Sequence, residues 1–230
     1  MDYIRSEIKA GLDYVRTLIP DLPPIEFHFV DIYNRNPPWK GLPNGANLAI
    51  FEAFCAIYSR FRWPVLIQTV DRRTLKDHSY EVPSAAVDDL DLRKPSDLSL
   101  FFLCIKLKHR YIAAGEPLRL FLDQGRRAPG VAFGNLLFKN WPATYSGVYE
   151  SSSVEPLLQV ADFLAFCINR LTHLGMKGAR TQTDMWFIDT LMAMNINSED
   201  LSLAALPKDF TVVEFDKVHK ADRKRKGLED

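Results

Sequence analysis

No stretch of this chain approaches the roughly 20 consecutive apolar residues that cross a bilayer. The opening residues, Met1 to Ala10, spread their charges instead of setting a basic stretch before an apolar one. We therefore expect no membrane span, no export signal and a cytoplasmic location. Net charge is also lacking: 29 Lys and Arg balance 29 Asp and Glu, which removes any global electrostatic case for nucleic-acid binding. Cysteine is scarce. Cys55, Cys104 and Cys167 lie far apart in apolar, helix-like stretches, a pattern of buried thiols and not of a disulfide framework or a zinc knuckle. A glycine-rich phosphate loop, Cys-X-X-Cys, His-Glu-X-X-His and a Gly-X-Ser-X-Gly elbow are all missing. Their absence turns the reading away from nucleotide hydrolases, zinc proteins and serine hydrolases.

What is present suits one core. A chain of 230 residues, 47% hydrophobic and 25% charged, is long enough for one sizeable domain and short for two. We expect a single α/β domain over residues 1–216, followed by a basic flexible tail over 217–230. In that tail Lys217, Lys220, Arg223, Lys224, Arg225 and Lys226 either touch phosphates or form a solvated end.

Apolar residues at Ile4, Ile8, Leu12, Val15 and Leu18 predict a helix from Asp2 to about Ile19, ending before Pro20. Ile25 to Val30 alternates apolar with polar over its first five residues, as a half-buried strand does, and Asn34 to Gly45 is rich in Pro, Gly and Asn, as loops are. Ala46 to about Phe61 reads as a helix and Val65 to Val70 as a buried strand. Lys76 to Pro95 is polar and acidic, a connection with a short strand near Tyr80. A helix over Ser96 to Ala114, stopped by Gly115 and Pro117, leads into a strand, Leu118 to Leu122, that ends at Asp123. After a turn over Gln124 to Pro129 come a strand at Tyr145 to Tyr149, cap-type Ser151 to Ser153, and helices at Val154 to Leu174 and about Thr183 to Asn195. Thr211 to Phe215 completes the pattern as a late edge strand. Alternating helices and strands predict an α/β sandwich.

Five residues stand out chemically. Asp123 closes an apolar strand, the place where α/β sheets present functional groups; it reads equally as a turn aspartate. Asp162 interrupts a helix apolar on nearly every side, where an unpaired carboxylate is costly to bury. Gln159 lies one turn earlier on the same face, so the two can point together into a site; the competing reading has Asp162 capping a helix or pairing with an arginine. Glu26 and His28 project to one side of the predicted strand. They suit a metal ligand and a proton carrier, or an ordinary solvent face. His173 lies too far along the helix from Asp162, at about 1.5 Å per residue, to share its site.

Three segments, in order, resemble a known family: Ile25 to Tyr33 with the following Pro37-Pro38-Trp39, then Leu120 to Asp123, then Glu150 to Ala165 with its Leu-Leu-Gln-Val-Ala-Asp helix. Together, over about Pro24 to Leu174, they resemble the bacterial domain of unknown function 3800, whose members look like ribonuclease H-type folds. The resemblance implies a ribonuclease H-like mixed sheet flanked by helices. It also implies a magnesium or manganese ion held by Asp123, Asp162 and Glu26, with His28 assisting, Gln159 orienting substrate, and phosphodiester hydrolysis in RNA or DNA as the activity. Members of that family begin with a strand ending in Asp-Glu-Ser-Gly, and nothing like it precedes the opening helix here. A sheet short of its first strands leaves three readings open: a fragment, a degenerate member that no longer catalyses and serves as a binding protein, or a site completed by a partner. Its open edge would invite a second copy or another chain. A hydrolase or transferase of small phosphate-containing substrates is a further reading of the same residues.

Overall fold

The computed structural model of the chain describes residues 2–18, 26–70, 86–175, 177–201 and Val213. These residues form a mixed α/β structure of small sheets flanked by helices. Their contacts gather into two compact units, the described residues of one lying within 2–64 and 150–197 and those of the other within 65–149 and 198–201, with Val213. The domain expected over residues 1–216 is thus described as two units of packing, each with its own core. The expected strands near Tyr80 and over Thr211 to Phe215, apart from Val213, lie outside the described residues, as does the basic tail.

The first unit is helical. Helix α1 (Asp2–Leu18) buries Ile4, Ile8 and Val15, the stripe its periodicity predicts, and packs on α3 (Ala46–Phe61). Helix α3 also meets α2 (Phe29–Asn34), α5 (Leu157–Gly175) and α6 (Gln182–Met194). Aromatic rings fill the space between them. Phe29 lies edge-on to Phe54, Phe51 and Phe163, with ring centroids 4.6, 5.4 and 5.0 Å away, and is fully buried. Such tilted contacts suit the ring quadrupoles and add to the apolar burial. Helix α6 starts on a capping box: the Thr181 side chain accepts from Asp184 N–H while the Asp184 carboxylate accepts from Thr181 N–H.

In the second unit β1 (Ala86–Val87) and β2 (Leu90–Asp91) make a tight antiparallel hairpin. Helix α4 (Pro95–Tyr111) follows and packs on β2, with Pro95 in its first turn. Strands β3 (Leu118–Asp123) and β4 (Tyr145–Glu150) pair in a two-stranded sheet, and Leu118 N–H donates to Thr144 C=O at 2.9 Å. On its other side β4 takes an isolated antiparallel bridge between Val148 and Ala132. The core beneath gathers Leu90, Leu98, Phe133, Phe138, Trp141 and Tyr149.

Besides the β1–β2 hairpin, which falls in a stretch expected as a connection, the structure departs from sequence expectation in three places. The strand predicted at Ile25 to Val30 is, over 26–28, an extended segment that runs into the short helix α2. Its alternation is real, since Phe27 and Phe29 are buried while His28 and Val30 are exposed. The described residues contain no ladder partner for it, and side chains satisfy its N–H groups instead. Val65 to Val70 likewise lacks a ladder and is only half-buried; Ile67 N–H donates to Asp200, Lys106 donates to Ile67 C=O, and Ser99 donates to Gln68 C=O. Helix α5 begins at Leu157, three residues later than predicted. Before it, Ser151 C=O accepts from Val154 and Glu155 in a turn, and Pro156 supplies no N–H.

Candidate functional site

Segment 26–29 and the first turns of α5 bring together four of the five residues singled out in the sequence, all in the first unit. Gln159 is buried, 3% exposed, and both ends of its amide are used. Its Oε1 accepts from Phe27 N–H at 3.1 Å, and its Nε2 donates to Ser152 C=O at 2.9 Å. One turn on, Asp162 Oδ2 accepts from Phe29 N–H at 3.3 Å. Alternate N–H groups of an extended chain point the same way, so a Gln and an Asp at i and i+3 of a helix replace a neighbouring strand. Phe29 opens α2, whose N-cap residue, His28, makes no capping bond of its own. Asp162 therefore acts as a remote cap, its negative charge at the positive end of the helix.

Glu26 and His28 project from the segment on the side away from the buried Phe27 and Phe29 rings. His28 Nε2 lies 3.4 Å from Glu26 Oε1, with the imidazole half-exposed and the carboxylate mostly covered. The Ser152 hydroxyl, itself buried, donates to Glu26 Oε2. Ser152 was read in sequence only as a cap-type residue, and nothing local tied it to a residue 126 positions away.

Two residues take a more definite place in the structure. Gln159, expected to orient substrate, is buried and spends its carbonyl oxygen on Phe27 N–H and an amide N–H on Ser152 C=O, so it fixes the backbone of Phe27. Asp162 is not a buried carboxylate but an exposed one. Ala161, Asp162, Ala165, Asn169, Thr172 and His173 form the exposed stripe of α5, and because two of these are alanines the helix reads as apolar all round.

Asp123 ends β3 in the second unit, exposed, with no hydrogen bond or ion pair among the described residues. The turn beyond it is anchored by its arginines: Arg126 pairs with the buried Asp97 at 2.6 Å, and Arg127 donates to Asp89, which also accepts from Tyr149 Oη at 2.9 Å. Asp88 takes the N–H groups of Leu136 and Leu137. Asp88 and Asp89, in a stretch that sequence left as a polar connection, and Asp97, in the first turn of α4, are structural acceptors. A second buried carboxylate that sequence reasoning missed, Asp184, meets Lys177 and lies 3.6 Å from Arg170. Burial alone would raise its pKa, yet Lys177 and Thr181 outweigh that and hold it down to about 2. Its signal was legible as Thr-X-X-Asp before an apolar run.

No family model, curated protein or solved structure matches this chain. Among the described residues no three His, Cys, Asp or Glu side chains lie close enough to form a ready-made metal cluster, and no helix is long and apolar enough to cross a membrane. What the first unit offers chemically is a Glu26–His28 pair with an accessible imidazole, and an exposed Asp162 carboxylate bonded to the backbone of the same segment.

Proposed function

We propose that this chain is a ribonuclease H-like protein that hydrolyses phosphodiester bonds in RNA or DNA, with Glu26 and Asp162 holding a magnesium or manganese ion and His28 carrying the proton. The observation that supports this reading is the Glu26–His28 pair on segment 26–29, the same segment whose Phe29 N–H donates to the Asp162 carboxylate from 133 residues away. Magnesium keeps several of its waters and takes one or two protein carboxylates before substrate phosphates complete its shell, and manganese also accepts imidazole. Carboxylates and an imidazole are donor types that such ions accept. When bound, the ion supplies an activated water and neutralises charge on the phosphoryl oxygens. The chain's own residues orient and shuttle: Ser152 fixes Glu26, Glu26 orients the imidazole of His28, and the exposed ring takes or gives the proton. Gln159 holds the backbone that carries them. Asp123, expected as a third ligand, is left out of this reading.

The test is calorimetric titration of manganese into the parent, Glu26→Gln and Asp162→Asn chains, each shown to be folded by circular dichroism, followed by cleavage assays on labelled single- and double-stranded RNA and DNA. Binding and manganese-dependent cleavage that both variants lose would support the proposal. A folded parent that binds no manganese refutes it.

A second reading, a non-catalytic binding protein, is favoured by the commitment of Gln159 and Asp162 to the N–H groups of Phe27 and Phe29. There Asp162→Asn, whose amide oxygen still accepts from Phe29, leaves both function and stability nearly unchanged.

A further inference from the structure

Strand β3 reads in sequence as an interior strand, Leu-Arg-Leu-Phe-Leu-Asp, yet among the described residues it is the edge of a two-stranded sheet. None of its residues is buried: Leu118, Leu120, Phe121 and Leu122 are half-covered, and Arg119 and Asp123 are exposed. A two-stranded sheet is marginal in water; three or more strands, or a covering layer, are needed for independent stability.

The strand's hydrogen-bonding phase limits what can complete it. Leu118 N–H points to the β4 side, where it meets Thr144 C=O. Backbone groups alternate along a strand, so those of Arg119, Phe121 and Asp123 point outward, and among the described residues no backbone group pairs with them. Arg119 and Phe121 share one face, the guanidinium 4.7 Å from the ring centroid.

We propose that β3 pairs antiparallel with β3 of a second copy of this chain about a twofold axis through Phe121. This register is the one in which the outward groups of residues 119, 121 and 123 become hydrogen-bonded pairs. It sets Phe121 against Phe121 of the second copy, Leu120 against Leu122, and Arg119 against Asp123 at both ends. The strand is therefore self-complementary in charge as well as in apolar surface, as an interface repeated by twofold symmetry requires. Opposite-charge and aromatic cross-strand pairs stabilise sheets, and like charges placed opposite each other destabilise them. Dimerisation extends the sheet to four strands, removes the exposed edge and gives Asp123 a charge partner independent of any metal.

Sedimentation equilibrium of the parent chain over a wide concentration range, beside Arg119→Asp and the swapped double variant Arg119→Asp, Asp123→Arg, tests the register. We expect a dimer for the parent, dissociation at least about tenfold easier for Arg119→Asp, which creates two like-charge pairs per dimer, and recovery in the swap. As an independent arm, Phe121→Cys should oxidise to a covalent dimer across the axis, because hydrogen-bonded antiparallel pairs stand about 5.5 Å apart at Cα, within disulfide reach. A parent that stays monomeric at every concentration overturns the proposal. So does a dimer indifferent to Arg119→Asp that fails to cross-link through Cys at 121.

Discussion

Replacing Gln159 with leucine tests whether a buried amide stands in for a β-strand. The side chain is 3% exposed, and its two partners, the N–H of Phe27 and the C=O of Ser152, belong to residues 2% and 7% exposed. Leucine nearly conserves volume, so no sizeable cavity opens, but both backbone groups lose their partner where water cannot readily reach. Each buried orphan costs about 1–3 kcal/mol, and leucine recovers part of this through its greater apolarity. The net loss comes to about 3 kcal/mol, a large share of the roughly 5–15 kcal/mol that holds most domains folded. For a chain of this size that lowers the melting temperature by roughly 6–12 °C, read by circular dichroism, with urea unfolding as a second measure. Gln159→Glu is the informative companion: it keeps an acceptor for Phe27 but sets a carboxylate against the Ser152 carbonyl. If Gln159→Leu costs less than about 0.5 kcal/mol, within the range of an ordinary surface change, the account of segment 26–29 as a strand held by side chains is wrong.

Gly147→Ala should destabilise the second unit by about 1–3 kcal/mol, because the new methyl would press against Phe133 C=O and against the Tyr145 hydroxyl that bonds that carbonyl; an unchanged urea midpoint would refute this. The Asp184 carboxylate is held at a pKa of about 2 against a usual 3.8, so its contribution is complete above about pH 4 and disappears as the pH falls through 2. The acid limb of a stability–pH curve should therefore flatten in Asp184→Asn, which should also be less stable than the parent by about 3 kcal/mol at neutral pH. Burial raises the thiols of Cys55 and Cys104 to about 12 and that of Cys167 further still. A disulfide reagent should therefore label none of the three at pH 8 until the chain unfolds, and fast labelling of the native protein would contradict their packing role.

Helices were the most legible part of this chain. The stripe Ile4, Ile8, Val15 and the bounds of α3 follow from spacing and from flanking Gly and Pro, because a helix closes its hydrogen bonds within four residues. Strands β3 and β4 were legible too, as apolar or alternating runs between turn residues. Segment 26–30 shows where that reasoning stops. Its alternation correctly foretold which side chains are buried, since burial follows side-chain direction. Whether an alternating segment is a strand depends on what accepts its N–H groups, and here the acceptors sit on a helix more than 130 residues away. Gln159 and Asp162 were conspicuous by residue type alone, yet their tasks were not. A buried amide satisfied at both ends and an exposed carboxylate at a helix start look the same in sequence as two groups facing a substrate. The order of local elements is written in nearest-neighbour chemistry; the pairing of Glu26 with Ser152 and, among the described residues, the edge position of β3 arise from contacts between distant residues, which local periodicity does not encode.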